Sequence, residues 1–298
     1  MENRIGLHAN YFRGTELEWD MCSVAGFLMK QGGTAMELMP DHLFRLSRDE
    51  LHRFRDLTRA NDMELIVGAG RSAQTDVSSP DPEIREAGYR RAVEIIRLLK
   101  EAGCHKWDGL VHACWPGHPQ GILTDDVKKE YTARSVAGMK RIVPLLEEAE
   151  IDVYLEIVNR FEHFIFNTVE EGVDFCKAVG SERVHLLIDT YHMNIEEHSI
   201  CDAIRVCADS GYLGHFHVGE ANRSVPGTVP THMDWEGIFG TLKEVRYEGA
   251  YILEPVIKNG CQFAANTALW RDLSGGADIA EMKNRAAIGL EFVKAYCK

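Results

Sequence analysis

The strongest constraint on the fold is a regular alternation of short apolar runs with amphipathic segments along the whole chain. Strands that alternate with helices pair in parallel, and about eight such units in about 250 residues is the size of a TIM (β/α)8 barrel. The spacing therefore predicts this α/β barrel. The predicted strands lie at residues 4–7, 35–39, 64–67, 109–113, 153–158, 184–188, 213–218 and 251–253.

The ends of the predicted helices support the alternation. Ser47 with Glu50, and Thr168 with Glu171, have the spacing of a capping box in front of an amphipathic run. A doubly wound open sheet is the rival architecture, but the first strand is followed by HANYFRG and not by the GxGxxG of a dinucleotide-binding turn. Three glycines follow helices where a left-handed stop is expected, at Gly103, Gly180 and Gly211.

The chain has no linker rich in Pro, Gly or Ser, which predicts one catalytic barrel domain over residues 1–298. An extension from about residue 266 to 284, with LWRDLSGGAD, is expected to pack on the barrel or on a partner subunit. The eight cysteines are scattered without a CxxC pair, a usage that fits the reducing cytoplasm. No run of about 18 apolar residues and no export signal is apparent, so neither membrane insertion nor secretion is predicted.

Net charge narrows the class of partner. The formal net charge is −13, and proteins that bind nucleic acid usually carry a basic patch or stripe. The sequence therefore predicts a small partner that is not strongly anionic, and no nucleic acid.

Three predicted strands share one design, an apolar run that ends in a carboxylate. They read VYLE at Glu156, HLLID at Asp189 and YILE at Glu254. Inward side chains converge at the C-terminal ends of barrel strands, where barrel enzymes carry their chemistry. In GHFHVGE, His215 and His217 share one face of a strand, and His217 is nearer the C-terminal end. We therefore place Glu156, Asp189, His217 and Glu254 in the active-site layer.

A single acid at a strand end is more often solvated or salt-bridged, and a single strand histidine is usually a core residue. Three carboxylates and an imidazole in one barrel mouth are different, because they cannot all be buried without a compensating cation. Mn²⁺, Co²⁺ or Mg²⁺ suits this donor set. His215 is interpreted as a core residue in preference to a support for the metal site. Glu37 is read equally as a supporting hydrogen-bond acceptor or a buried structural acid.

A metal at a barrel mouth can acidify the C–H beside a sugar's carbonyl, so that a carboxylate removes the proton. Return of the proton to the opposite face of the same carbon is epimerisation, and return to the adjacent carbon is isomerisation. Glu156 and Glu254 lie on different strands and supply the pair of bases that epimerisation needs. The residues alone leave both reactions open.

Long motifs carry a resemblance to a known family. LEIVNRFEHFIFNT, LLIDTYHMNIEE, GHFHVGEANRSVPG and YILEPV, together with VGAGRS, VSSPDP, HACWPG and LWRDLSGGAD, cover nearly the whole chain. They resemble the ketose 3-epimerase family, the D-tagatose 3-epimerase and D-psicose (D-allulose) 3-epimerase group. The resemblance implies epimerisation at C3 of a free ketose, a Mn²⁺ or Co²⁺ cofactor, and a homodimer or homotetramer.

The resemblance also implies roles for individual residues. Glu156, Asp189, His217 and Glu254 would bind the metal, and the two glutamates would also transfer the proton. Glu162, His192 and Arg223 would contact the substrate, and Trp115 would line its pocket. These roles rest on the motifs NRFE, DTYHMN, GEANR and HACWPG.

The chain departs from that family on one side of the pocket. LHANYF, with His8 and Asn10, stands where the family usually shows an aromatic cluster, and Val256 stands where it usually shows phenylalanine. We count His8 among the residues that would contact the substrate. The metal residues are untouched by these changes, so the resemblance constrains the reaction more than the sugar.

Three rival functions share the barrel. The first is another enzyme of the same scaffold, namely an aldose-ketose isomerase, a hydroxypyruvate isomerase or an inosose dehydratase. The second is a metal-dependent nuclease, which the acidic balance and the small number of strand-end histidines disfavour. The third is a sugar-binding barrel without activity, which the intact glutamate pair disfavours.

Overall fold

The computed structural model of the chain describes residues 3–119 and 121–297. Eight parallel strands pair in chain order, and the first pairs with the last, which closes the barrel. This confirms the predicted TIM barrel. The strands are β1 (Ile5–His8), β2 (Ala35–Leu38), β3 (Glu64–Val67), β4 (Lys106–Gly109), β5 (Asp152–Glu156), β6 (Val184–Asp189), β7 (Leu213–Val218) and β8 (Tyr251–Leu253).

Helices surround the barrel. The described helices are α1 (Met21–Lys30), α2 (Pro40–Phe44), α3 (Arg48–Ala60), α4 (Pro82–Ala102), α5 (Asp125–Ala149), α6 (Val169–Val179), α7 (Thr190–Glu196), α8 (Ile200–Asp209), α9 (Trp235–Glu244), α10 (Gln262–Asn266) and α11 (Ile279–Cys297). None of them has both the length and the apolar composition that a bilayer span requires.

Helix ends follow the signals in the sequence. Ser47 and Glu50 form the reciprocal capping box in front of α3. The Thr168 side chain caps α6 by accepting from the backbone N–H of Glu171. Gly103 ends α4 in the left-handed conformation that glycine adopts without steric cost. The region after residue 266 contains the start of α11, which packs against β1 and β8.

The fourth strand lies earlier than the sequence predicts. It covers Lys106–Gly109, whereas the prediction was residues 109–113. Gly109 has a φ of 78°, which ends the extended run, and Val111 donates a backbone hydrogen bond to the Gly109 carbonyl in the following turn. Residues 110–113, three of them apolar, are buried as part of this turn, so their composition resembles that of a strand. The shift places Asp108 near the end of the strand.

Side chains alternate between the inside of the barrel and its outer layer, as the strand period of two requires. Leu155, Ile188 and Leu253 belong to the main apolar core that the helices cover, while the next residue on each strand is a carboxylate. A separate apolar cluster of Ala35, Ile66, Ala250 and Ile252 fills the barrel interior. Because residues two positions further along β2 and β8 are Glu37 and Glu254, this cluster forms the apolar floor beneath the polar side chains.

Candidate active site and metal centre

The mouth of the barrel, at the C-terminal ends of the strands, contains a cavity of about 410 Å³. Asp189 and His192 do not line it but are buried, with 0% and 1% of their surfaces exposed. Arg223 contacts both of them and faces the cavity. Seven of the residues singled out in the sequence line the cavity wall, namely His8, Trp115, Glu156, Glu162, His217, Arg223 and Glu254.

The structure brings Glu156, Asp189, His217 and Glu254 together. One potential ligand atom from each lies within 4.8 Å of the corresponding atoms of the other three. Asp189 and His217 are direct neighbours in the pairing of β6 with β7. The Glu156 and Glu254 side chains are each 12% exposed, so the two glutamates are the most exposed members of the set, and they line the cavity together with His217.

The two ring nitrogens of His217 have different surroundings. Its Nε2 lies 2.9 Å from Glu37 Oε2, a contact that fixes the ring orientation. Its Nδ1 lies 3.4 Å from Glu254 Oε2 and 4.0 Å from Glu156 Oε1, and it is buried without a hydrogen-bond partner. A histidine that ligates a metal usually offers its other nitrogen to a carboxylate, as His217 does here. The orphaned Nδ1 between two carboxylates fits a divalent cation.

The two carboxylate oxygens of Asp189 have different hydrogen-bond partners. Oδ1 accepts from the Tyr191 N–H at 2.8 Å and caps α7, while Oδ2 lies 3.0 Å from Arg223 Nη1. Burial raises the pKa of Asp189 to about 6, although Arg223 and His192 oppose this shift. The helix cap therefore holds the carboxylate in place and leaves Oδ2 available to the site.

Arg223 brings a positive charge to the candidate metal residues. Its Nη1 donates to Glu254 Oε2 at 2.7 Å, and its Nη2 lies 3.1 Å from His192 Nε2 and 3.6 Å from Glu162 Oε1. The guanidinium carbon lies 3.9 Å from the centre of the Tyr191 ring, a cation–π contact. Burial would raise the pKa of Glu254, but the charges of Arg223 and His217 bring this pKa below its usual range. Glu254 is therefore held as a carboxylate that can accept a proton.

His192 is fixed by the loop that follows β5. The Asn159 backbone N–H donates to His192 Nδ1 at 3.0 Å, so Nδ1 is the acceptor and Nε2 faces Glu156 Oε1 at 3.4 Å. Glu162 is held in the same loop, because its Oε2 accepts from Trp115 Nε1 at 2.7 Å. These contacts join the residues predicted to touch a substrate into one hydrogen-bonded wall.

His8 is placed against Glu37, its direct neighbour in the pairing of β1 with β2. Its Nδ1 accepts from the Asn10 backbone N–H at 3.0 Å, and its Nε2 lies 3.2 Å from Glu37 Oε1. Burial lowers the pKa of His8, which favours the neutral ring. A neutral ring that accepts at Nδ1 carries its proton on Nε2, the nitrogen that faces Glu37.

The chain is similar in sequence to enzymes that have been named. The family model of the xylose isomerase-like TIM barrel matches residues 27–274. The D-psicose 3-epimerase of Agrobacterium fabrum is 37% identical over 292 residues, 96% of this chain and 97% of that protein. The D-psicose 3-epimerase of Ruminiclostridium cellulolyticum is 34% identical over 287 residues, 96% of each protein. The chain belongs to the ketose 3-epimerase family.

A solved structure agrees with this assignment. The crystal structure of D-psicose 3-epimerase from Clostridium cellulolyticum H10 with D-tagatose has a TM-score of 0.91 at 33% identity and covers 100% of both chains. The resemblance found in the motifs is thereby confirmed, and the protein is an enzyme of the isomerase class.

Part of the polar interior of this ketose 3-epimerase was not predicted from the sequence. Asp108 was not singled out, because the fourth strand was predicted to start only at Gly109. His215 was interpreted as a core residue, yet its Nε2 lies 3.1 Å from Glu37 Oε2. Glu37 is therefore contacted by His8, His215 and His217, which the AMEL run alone does not reveal. WDG has a single apolar residue before the carboxylate, a shorter form of the apolar run that identified Glu156, and it could have drawn attention to Asp108.

Proposed function

We propose that this ketose 3-epimerase inverts C3 of a free ketose through an enediolate. D-fructose/D-allulose, D-tagatose/D-sorbose and L-ribulose/L-xylulose are the pairs considered. The observation that carries the proposal is the convergence of Glu156 and Glu254, from β5 and the end of β8, beside the orphaned His217 Nδ1. The relatives named D-psicose 3-epimerase support the same carbon.

The cofactor in this proposal is one divalent ion held by Glu156, Asp189, His217 and Glu254, with Mn²⁺ or Co²⁺ preferred over Mg²⁺. The donor set of three carboxylates and one imidazole supports this choice. When bound, the ion would polarise the C2 carbonyl and the C3 hydroxyl and so lower the pKa of the C3 hydrogen.

The chain's own residues carry the proton. One glutamate removes the C3 proton and the other delivers a proton to the opposite face of the planar enediolate, with the roles exchanged in the reverse reaction. Arg223 is placed to orient the substrate and to stabilise negative charge on its oxygens, because its guanidinium spans Glu254 and His192. Glu162 and His192 would bind hydroxyl groups, and Trp115 would cover the sugar.

The surroundings of the reaction are also part of the proposal. The eight cysteines are present as free thiols, which supports a reducing cytoplasm as the site of action. We propose a homodimer or homotetramer, on the resemblance to the family alone.

The experiment is a panel of free ketoses with product analysis, after removal of metal and reconstitution with Mn²⁺, Co²⁺ or Mg²⁺. The expected result is a C3-epimeric product that depends on added metal. An aldose product would instead support an aldose-ketose isomerase, and absence of any product with every ketose and metal would refute the proposal.

Replacing Trp115 by Phe removes the N–H that holds Glu162 and keeps an aromatic wall. A hydrogen bond to a charged group contributes about 1.5–3 kcal/mol. We expect KM for the ketose to rise about tenfold or more, with a much smaller change in kcat. Trp270→Phe is the matched control, because Trp270 is 77% exposed. An unchanged KM in Trp115→Phe would show that Glu162 does not need this contact.

A further inference from the structure

A second cluster of ionisable side chains lies inside the barrel beside the first. It consists of Glu37 from β2, Asp108 from β4, and His215 and His217 from β7, and we call it the inner cluster. One nitrogen or oxygen atom from each lies within 4.8 Å of the other three. All four residues are buried, with at most 2% of each surface exposed.

The proposed epimerase site gives no reason for Asp108 to be buried in the inner cluster. It is fully buried, and neither of its carboxylate oxygens has a hydrogen-bond partner. His215 and His217 direct their Nε2 atoms to Glu37 at 3.1 and 2.9 Å, and the same atoms are 3.5 and 4.0 Å from Asp108 Oδ2. A carboxylate buried without a partner is costly, so this group must either be protonated or bind a further group.

The inner cluster contains no lysine or arginine. Among the described residues, the ion-pair partners of Glu37 and Asp108 are histidines, and neither carboxyl group is paired with Lys or Arg. Two carboxyl groups therefore lie in the barrel interior with no permanently charged partner. A divalent cation bound between them would supply such a charge.

The distances in the inner cluster lie around those of a small coordination polyhedron. Bonds of about 2.0–2.2 Å from a tetrahedral ion to imidazole nitrogen and carboxylate oxygen place neighbouring ligand atoms about 3.3–3.6 Å apart. The four histidine–carboxylate distances run from 2.9 to 4.0 Å and lie on both sides of this range.

The inner cluster is open to the cavity on the side of Gly68. A Cβ added to Gly68 would be 3.1 Å from Met39 Sδ, 3.4 Å from Asp108 Oδ1 and 3.7 Å from His8 Nε2, so the absence of a side chain at Gly68 keeps this space beside Asp108 from being filled. Glu37, Gly68 and Asp108 all line the cavity at the barrel mouth. A cation entering from the cavity can reach the carboxylates on this path.

We propose that the inner cluster binds a second divalent cation, held by Glu37, Asp108, His215 and His217. Two nitrogen and two oxygen donors in tetrahedral spacing suit Zn²⁺, whereas the three carboxylates of the outer site suit a harder ion. His217 would bridge the two sites, with Nδ1 toward the outer ion and Nε2 toward the inner one. Bridging requires that the ring lose both nitrogen protons, so binding of the inner ion releases a proton.

The test counts ions and does not depend on any sugar. The metal-free chain is reconstituted with excess Zn²⁺ alone, free metal is removed by gel filtration, and zinc per chain is measured by mass spectrometry. We expect two zinc ions per chain in the natural protein and one in Asp108→Asn. Asp76→Asn is the matched control, since Asp76 is also a buried acid but accepts from Ser78, and it should keep two ions.

Anomalous diffraction at the zinc edge locates the second ion. A peak among Glu37, Asp108 and His215 is expected, and it should disappear in Asp108→Asn. If that variant does not fold, His215→Gln serves in its place with the same expected loss. Absence of a zinc peak among Glu37, Asp108 and His215 in the natural protein, a peak retained there in Asp108→Asn, or a second peak elsewhere would overturn the proposal. Failure of the chain to epimerise any ketose would leave the ion count unaffected.

Discussion

Replacement of Glu254 or Glu156 by Gln should lower kcat/KM for the preferred ketose by at least about 100-fold, and up to about 10⁴-fold. Glutamine keeps the size of the side chain but cannot accept the C3 proton, and it also removes one negative charge from the metal ligands. Arg223 and His217 keep the pKa of Glu254 below its usual range despite burial. Glu254 is therefore ionised in the natural protein, and the substitution removes a carboxylate. Steady-state kinetics at saturating Mn²⁺ measure the effect.

The control for this pair is Glu220→Gln. Glu220 is a buried carboxylate, 3% exposed, whose oxygens accept from Thr231 and Trp235 and do not line the cavity. Its replacement should leave kcat/KM within a few fold. Near-normal turnover in either active-site variant would contradict the assignment of two opposed bases.

Replacement of Arg223 by Ala should also lower kcat/KM by about 100-fold or more. The variant loses the guanidinium that contacts Glu254 and His192, and groups of this kind contribute about 10²–10³-fold to kcat. Affinity for Mn²⁺ should be retained or tightened, because a positive charge is removed from beside Asp189 and Glu254. Kinetics and a metal titration on the same preparation separate the two effects.

Arg223→Lys tests whether charge alone is enough. Lysine keeps the positive charge but cannot span two partners with a planar fork, so we expect most of the loss in kcat/KM to remain. Thermal unfolding with bound Mn²⁺ verifies that both variants are folded. Loss of Mn²⁺ binding in Arg223→Ala would instead assign this residue a structural role in the metal site.

The barrel was predictable because its strands carry a repeated local signal. VYLE, HLLID and YILE each place an outward apolar residue next to an inward acid, and strand alternation alone sets that geometry. The order of the strands around the barrel could also be predicted, because alternating strands and helices close a parallel barrel. Positions at the ends of β5, β6 and β8 could thus be read directly from the sequence.

The inner cluster could not be predicted from the sequence in the same way. Its contacts join β2, β4 and β7, which are far apart along the chain, and no local pattern specifies which strands face each other across a barrel. Prediction of β4 also failed, because the buried turn after Gly109 is as apolar as a strand. The choice of His217 over His215 followed from strand position, whereas the contact of both rings with Glu37 required the three-dimensional structure.

The altered side of the pocket bears on the choice of sugar. His8 Nε2 lies 3.2 Å from Glu37 Oε1, and Asn10 Oδ1 accepts from Arg13 Nε at 3.0 Å, so a polar network lines this wall. Val256 is buried and does not line the cavity. These differences replace none of the four proposed metal ligands, so we expect them to change which ketose is preferred and not which carbon is inverted.

Isotope exchange tests the central claim most directly. The metal-loaded protein is incubated with its best ketose in D₂O, and the position of deuterium in substrate and product is determined by NMR. Proton transfer at C3 predicts deuterium at C3 and at no other carbon, with both C3 epimers present. Deuterium at C1 would mean aldose-ketose isomerisation, and the absence of deuterium from every ketose tested would contradict proton transfer altogether.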